Sequence, residues 1–199
     1  MQLNNLFPIP IGFFEYTSSL DSELDYVTNL EQRNNQGNTT SVDNYVLKDY
    51  HLKDLSDWID SCISQYFRAT ANPKYGVQLY TTQSWINFTT QGQYHHKHEH
   101  PNSLISGVFY LQTNPDDKIY FYRSGYQQIK FPPQEWNEYN SESWWYEAQL
   151  GKLILFPSSL THQVPVVSGT TTRISLSFNT FARGTIGENL ELTELIVEH

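Results

Sequence analysis

Four of the chain's seven histidines fall within six residues, His95-His96-Lys97-His98-Glu99-His100, and imidazoles at that density make a candidate metal site. Along an extended strand alternate side chains share a face, so His98 and His100 project together, and His96 can join them. Two imidazoles on one face can grip a divalent cation and need a third ligand from another strand. His162 is the candidate. Gly151-Lys152-Leu153-Ile154-Leu155-Phe156-Pro157 reads as a buried strand, and His162 opens the next strand just past Ser158-Ser159-Leu160-Thr161. An antiparallel return at that turn would set it opposite the pair. Three imidazoles suit iron(II), zinc, copper or nickel, and a facial set of three leaves positions open for chemistry. The plainer alternative is a solvent-exposed histidine tract with incidental metal affinity.

A second group lies eleven residues past His162. In Arg173-Ile174-Ser175-Leu176-Ser177-Phe178-Asn179 the polar residues occupy one face of a strand and the apolar ones the other. Periodicity alone also fits a half-exposed strand. If the polar face lines the same cavity as the metal, Arg173 is a guanidinium fork awaiting a carboxylate, with the Ser175 hydroxyl as a further donor. A dicarboxylate with one end on the metal and the other on Arg173 meets both requirements, and 2-oxoglutarate is such a molecule.

These residues need a scaffold, and the hydrophobic pattern supplies one. From Leu79 onward short runs rich in β-branched and aromatic residues predict strands at Ser84–Thr89, Gln93–His98, Leu104–Leu111, Lys118–Tyr122, Lys152–Phe156, His162–Val166 and Thr171–Phe181. Closely spaced strands of this kind build a sandwich or barrel. Upstream, Leu55, Trp58, Ile59, Cys62, Ile63, Tyr66 and Phe67 recur at helical spacing, with Asp54 as the expected N-cap. A weaker helical pattern runs from about Leu20 to Leu30, after an extended, proline-containing lead-in over residues 1–17. Between Tyr122 and Gly151 the pattern predicts a long irregular insert, dense in aromatics, and the tail after Arg183 is assigned no element. One domain over residues 1–199 is expected, with lead-in and helices in 1–78, the β core in 79–183 and a tail in 184–199.

Composition narrows the partners. Net charge is −9, and twelve scattered basic residues provide no phosphate-gripping patch, so nucleic acid is not expected. A single cysteine, Cys62, rules out an internal disulfide and a multi-thiolate zinc site. No apolar stretch approaches a membrane span, and the first residues lack a basic start followed by an apolar run, so a cytoplasmic protein without a membrane is the expectation.

Taken together, the motifs resemble the iron(II)/2-oxoglutarate oxygenase superfamily, and more narrowly a subfamily of short oxygenase-like proteins. The resemblance is carried by Leu6-Phe7-Pro8-Ile9-Pro10, Trp85-Ile86-Asn87, Gly92, His98-Glu99-His100-Pro101-Asn102-Ser103 and Ser106-Gly107-Val108-Phe109-Tyr110-Leu111. It continues through Phe156-Pro157-Ser158-Ser159-Leu160-Thr161-His162 and Arg173-Ile174-Ser175-Leu176-Ser177-Phe178-Asn179. It implies a double-stranded β-helix, a jelly-roll or cupin-like barrel that is mainly β with N-terminal helices. By the same resemblance, His98 and His162 match the two histidine ligands of an iron(II) site. Arg173 and Ser175 match the pair that holds the distal carboxylate of 2-oxoglutarate, Tyr110 sits where related enzymes often place a tyrosine on that carboxylate, and Asn87 is a further candidate for the pocket. One position departs from the pattern. The superfamily usually has Asp or Glu where this chain has His100.

The expected function is a hydroxylase-type oxygenase that converts 2-oxoglutarate to succinate and carbon dioxide while oxidising a small-molecule or peptide substrate. Trp136, Trp144 and Trp145, in the aromatic insert from Tyr126 to Tyr146, are the candidates for touching that substrate under a water-excluding lid. A surface flap over the barrel is the alternative for the insert. Two other functions compete. Gly92 with His98 and His100, and Gly151 with Pro157 and His162, also resemble the two cupin motifs, which would give a metal enzyme without 2-oxoglutarate. A non-catalytic module that keeps its metal for binding is the third.

Overall fold

The period-two segments form strands and the longer helical pattern forms a helix. In the computed structural model, which describes residues 1–125, 129 and 131–198, the order is β1 (Gly12–Glu15), α1 (Asp21–Thr28), β2 (Gln32–Asn34), β3 (Thr39–Ser41), α2 (Lys53–Thr70), β4 (Gln78–Thr89), β5 (His95–His98) and β6 (Ile105–Gln112). It continues with β7 (Lys118–Tyr122), β8 (Ser143–Glu147), β9 (Lys152–Pro157), β10 (His162–Val164), β11 (Arg173–Ile186) and β12 (Leu195–Val197). All pairings between strands are antiparallel. They make a large sheet in the order β1-β9-β6-β11-β4-β3-β2, with β12 on the end of β11, and a small sheet β5-β10-β7-β8. This is the jelly roll that the resemblance implies.

Alternation along the three central strands decides the layers. Leu153 and Leu155 of β9, Phe109 and Leu111 of β6, and Ile174, Leu176 and Phe178 of β11 pack against Leu55, Ile59, Cys62, Ile63 and Tyr66 of α2. Their neighbours Ile154, Phe156, Val108 and Tyr110 face the other way, onto Ile119 and Phe121 of the small sheet. Because β6 and β9 are covered on both faces, they read in the sequence as largely continuous apolar runs. The polar residues of β11 that alternate with its apolar ones must therefore point between the sheets. The half-exposed alternative is excluded, since Arg173 is 1% exposed.

Four expectations change. Helix α2 begins at Lys53, with Leu52 at its N-cap and no side-chain cap, and two short 3-10 turns lead into it. Asp54 lies in the first turn, where its charge complements the helix dipole rather than capping an amide. The insert is not wholly irregular. Ser143-Trp144-Trp145-Tyr146-Glu147 forms β8, paired with β7 from Lys118↔Glu147 to Tyr122↔Ser143. It escaped the pattern because both its faces are partly exposed, so no hydrophobic alternation marks it. The lead-in contributes β1, which pairs with β9, and the tail contributes β12. Such short edge strands are set by their partners more than by their own residues.

Close packing at the middle of β6 is tightest at Gly107. A Cβ built there would stand 2.2 Å from the Phe178 ring and 2.8 Å from Leu155. Gly107→Ala should therefore destabilise the chain by about 1–3 kcal/mol. Adding Phe178→Leu should recover part of that loss, so the urea midpoints of the two single variants and the double variant will not be additive.

Candidate metal centre

Strand β10 runs back along β5 with His162 directly opposite His98. His100 follows the end of β5, where its amide N–H donates to the Ser158 carbonyl at 3.0 Å. Nε2 of His100 and Nε2 of His162 stand 3.2 Å apart, and the ring centroid of His98 is 4.3 Å from that of His162 and 5.0 Å from that of His100. The ligand atoms of the three residues all lie within 4.8 Å of one another. Two nitrogens each about 2.1 Å from one cation stand about 3 Å apart, so the spacing of the closest pair fits.

The backbone orients two of these rings. Nδ1 of His98 donates to the His96 carbonyl at 2.7 Å, and Nδ1 of His162 to the Leu160 carbonyl at 3.0 Å. A carbonyl only accepts, so each Nδ1 carries the proton and each Nε2 keeps its lone pair for a cation. Burial keeps the cluster neutral. Desolvation, helped by the neighbouring imidazoles, pushes His162 down to about 2 and His100 down to about 4, and it also lowers His98.

A break in register decides which further histidine joins them. Between β5 and β10 the partners go from His162↔His98 to Val164↔His95, so β5 carries one residue more than β10 over that step. Such a bulge reverses the alternation. His95 stacks on His98 at 4.4 Å and lines the cavity, whereas His96, the residue expected from strict alternation, is not among its walls. The sequence signal for His95 was only its membership of the run. Glu99 does not substitute for His100 as a carboxylate ligand. It is exposed and accepts a hydrogen bond from the Thr161 hydroxyl.

The same cavity holds Arg173, Ser175 and Asn87 as well as the three histidines. Register explains the grouping, because Ser175 has Asn87 of β4 on one side and Tyr110 of β6 on the other. Arg173 donates from Nη1 to the Lys118 carbonyl at 3.0 Å and lies 5.2 Å from the centre of the Tyr110 ring. Among the described residues, Nη2 of Arg173, the Tyr110 hydroxyl and Oδ1 of Asn87 are buried without a hydrogen-bond partner, and Arg173 has no carboxylate partner. Burial pushes the Tyr110 hydroxyl up to about 12 against the opposing pull of Arg173, so it stays a neutral donor. Each orphaned buried group costs about 1–3 kcal/mol, more for a charge. Arg173, a cationic donor left without a full set of partners in the wall of this cavity, has the chemistry to receive a carboxylate, and the Tyr110 hydroxyl lies on the neighbouring strand. Residues and cosubstrate therefore fit.

The tryptophans are placed elsewhere. Trp144 lines a separate groove with Phe121, Tyr139 and Tyr146, whose walls include none of the three histidines. Trp145 carries Lys118 over its ring at 4.1 Å, and Trp136 is 66% exposed. Tyr126, at the start of the aromatic insert, lies outside the described residues. Trp85, quoted only as part of a motif, lines the metal cavity with its ring 5.8 Å from that of His100.

Residues 83–179, from β4 to β11, match the family described as "Putative 2OG-Fe(II) oxygenase". The chain's β core is that of a 2OG-Fe(II) oxygenase. The chain is accordingly an oxidoreductase that works with iron(II) and 2-oxoglutarate. Solved structures share its fold. A prolyl hydroxylase in complex with a hypoxia inducible factor peptide fragment, from Trichoplax adhaerens, is 16% identical, with TM-score 0.61, covering 86% of this chain and 83% of that one. HygX from Streptomyces hygroscopicus, with nickel, 2-oxoglutarate and hygromycin B bound, is 12% identical, with TM-score 0.60 over 86% and 82%. A 2OG-Fe(II) oxygenase family oxidoreductase from Burkholderia pseudomallei is 15% identical, with TM-score 0.56 over 79% and 75%. No curated protein sequence matches. Among the described residues no helix is long and apolar enough to cross a membrane.

The buried imidazoles make the metal-free protein sensitive to acid. His162 is 6% exposed and titrates near 2 when folded, against about 6.5 unfolded. Between those values the unfolded chain binds a proton that the folded chain does not, so stability falls as pH drops below 6.5. His162 alone should cost about 1.4 kcal/mol per pH unit, or about 2 kcal/mol by pH 5. Urea melts at several pH values should show this slope, and His162→Gln should flatten it.

Proposed function

We propose that this chain is a hydroxylase-type oxygenase in which His98, His100 and His162 hold iron(II), and Arg173, Tyr110 and Ser175 hold the distal carboxylate of 2-oxoglutarate, with Asn87 beside them. When bound, iron(II) with 2-oxoglutarate and oxygen supplies the oxidising power that inserts oxygen into a C–H bond, with succinate and carbon dioxide as the co-products. The observation that carries the reading is the orphaned Nη2 of Arg173, buried in the wall of the cavity that the three imidazoles also line, with the orphaned Tyr110 hydroxyl on the neighbouring strand.

Each residue has a distinct task. The backbone carbonyls of His96 and Leu160 hold His98 and His162 in the tautomer that leaves Nε2 available. Arg173, fixed by the Lys118 carbonyl, supplies the charge for the far carboxylate, and the neutral Tyr110 hydroxyl supplies a second donor. His100 makes the ligand set neutral. The divalent charge is then balanced by the cosubstrate dianion rather than by a protein carboxylate, which ties metal retention to cosubstrate binding. The cavity between the two groups is narrow, ≈ 30 Å³, so its walls must part to admit the diacid. Relatives of known structure took a peptide fragment in one case and hygromycin B in another, so the fold admits both substrate classes.

Anaerobic addition of iron(II) and then 2-oxoglutarate should raise a visible charge-transfer band, and admission of oxygen should release succinate. Arg173→Met should weaken 2-oxoglutarate binding by about a hundredfold, the cost of removing one partner from a buried charged pair. The thermal midpoint of the metal-free Arg173→Met variant should hold or rise, because an unpaired buried cation has been removed. Unchanged cosubstrate affinity in that variant would refute the assignment.

A further inference from the structure

Beside the histidines the molecule opens into a second cavity of ≈ 470 Å³, with His95, His98 and His100 on its inner wall. The rest of the lining is unusual in its chemistry. It presents the carboxamides of Asn34, Asn35, Asn44 and Gln83, the guanidinium of Arg33 and the indole of Trp85. One cation and no carboxylate line it, although the chain has 21 Asp and Glu against 12 Lys and Arg. A cationic ligand would find no counter-charge there. A neutral or anionic ligand would find donors throughout.

Carboxamides each offer an acceptor and two N–H donors side by side, and a sugar hydroxyl is likewise both donor and acceptor. Among the described residues the side chains of Asn34 and Gln83 have no protein partner to give up, so both are open to a ligand. Arg33 donates from Nη2 to Oδ1 of Asn44 at 3.0 Å, which steadies the guanidinium while its other N–H groups remain for a ligand. The half-buried Trp85 adds a flat apolar face of the kind on which the C–H face of a pyranose packs. A peptide of ordinary composition would want apolar subsites, and Trp85 is the one large apolar side chain in this lining.

We propose that this cleft is the substrate site and takes a neutral or acidic saccharide, packed on Trp85 and oriented by the carboxamides and Arg33 against the histidine wall. This rests on the oxygenase reading above and extends it to a substrate class. Saturation-transfer difference NMR on the metal-free chain tests it with glucose, glucuronate, glucosamine and trialanine as probes. Glucose and glucuronate should show saturation transfer, with little on glucosamine or trialanine. Arg33→Gln should lower glucuronate affinity about tenfold, as expected for one hydrogen bond to a charged group, and leave glucose unchanged. Asn34→Asp should raise the glucosamine signal. Both side chains are exposed, so neither variant endangers folding. Equal or stronger transfer to glucosamine or trialanine, no transfer to any saccharide, or an Arg33→Gln variant indistinguishable from the parent would each overturn the proposal. The metal and cosubstrate assignment is read separately from the charge-transfer band. A chain that shows the band but no saccharide signal loses this inference alone, and one that binds saccharide without the band loses the oxygenase reading and, with it, the cleft's role as a substrate site.

Discussion

A guanidinium buried between two sheets with no carboxylate beside it is the constraint around which this structure is arranged. In an ordinary core such a charge would be replaced, because its desolvation costs several kcal/mol, and among the described residues only one carbonyl hydrogen bond and the face of the Tyr110 ring offset it, with no carboxylate to pair it. Its survival at 1% exposure, next to a tyrosine hydroxyl that also lacks a partner, is intelligible if a diacid completes both. The jelly roll makes this possible. Its large sheet is covered by α2 on one face, which leaves the other free to carry polar residues into a closed interior.

The same interior sets the protonation of the histidines. Burial disfavours imidazolium, each neighbouring imidazole adds to that penalty, and backbone carbonyls select the tautomer of His98 and His162. The result is a cluster of neutral imidazoles at physiological pH, with ligand nitrogens all within 4.8 Å of one another. A carboxylate at position 100 would have balanced part of the cation's charge. In the proposed assignment, with His100 there, the cosubstrate dianion is what offsets both the cation and Arg173. The metal end and the carboxylate end of the cavity are thus parts of one electrostatic arrangement.

Irregularity in the scaffold matters as much as regularity. The extra residue in β5 turns His95, rather than His96, toward the cavity and places it at the boundary with the open polar cleft. The β2–β3 hairpin, a short element at the sheet edge, supplies Arg33 and Asn34 to that cleft. Loops and edges carry the chain's particular chemistry while the central strands hold the common frame.

Much of this was legible in the residues themselves. The histidine run, the return of His162 after a buried strand and the alternation of Arg173, Ser175 and Ser177 against Ile174, Leu176 and Phe178 follow from side-chain period and donor chemistry. Those properties are local, and a chain of letters records them in full. What only the tertiary structure decided were matters of partnership. Strand β8 and the edge strands β1 and β12 exist because neighbours offer them hydrogen bonds, and their own half-exposed residues carry no period to announce it. The exchange of His95 for His96 depends on a one-residue offset between two strands. That Trp144 lines a groove apart from the histidines while Trp85 and the carboxamides share a cleft with them depends on which faces converge across distant stretches of chain. Such convergence is a property of packing, and no spacing along the sequence encodes it.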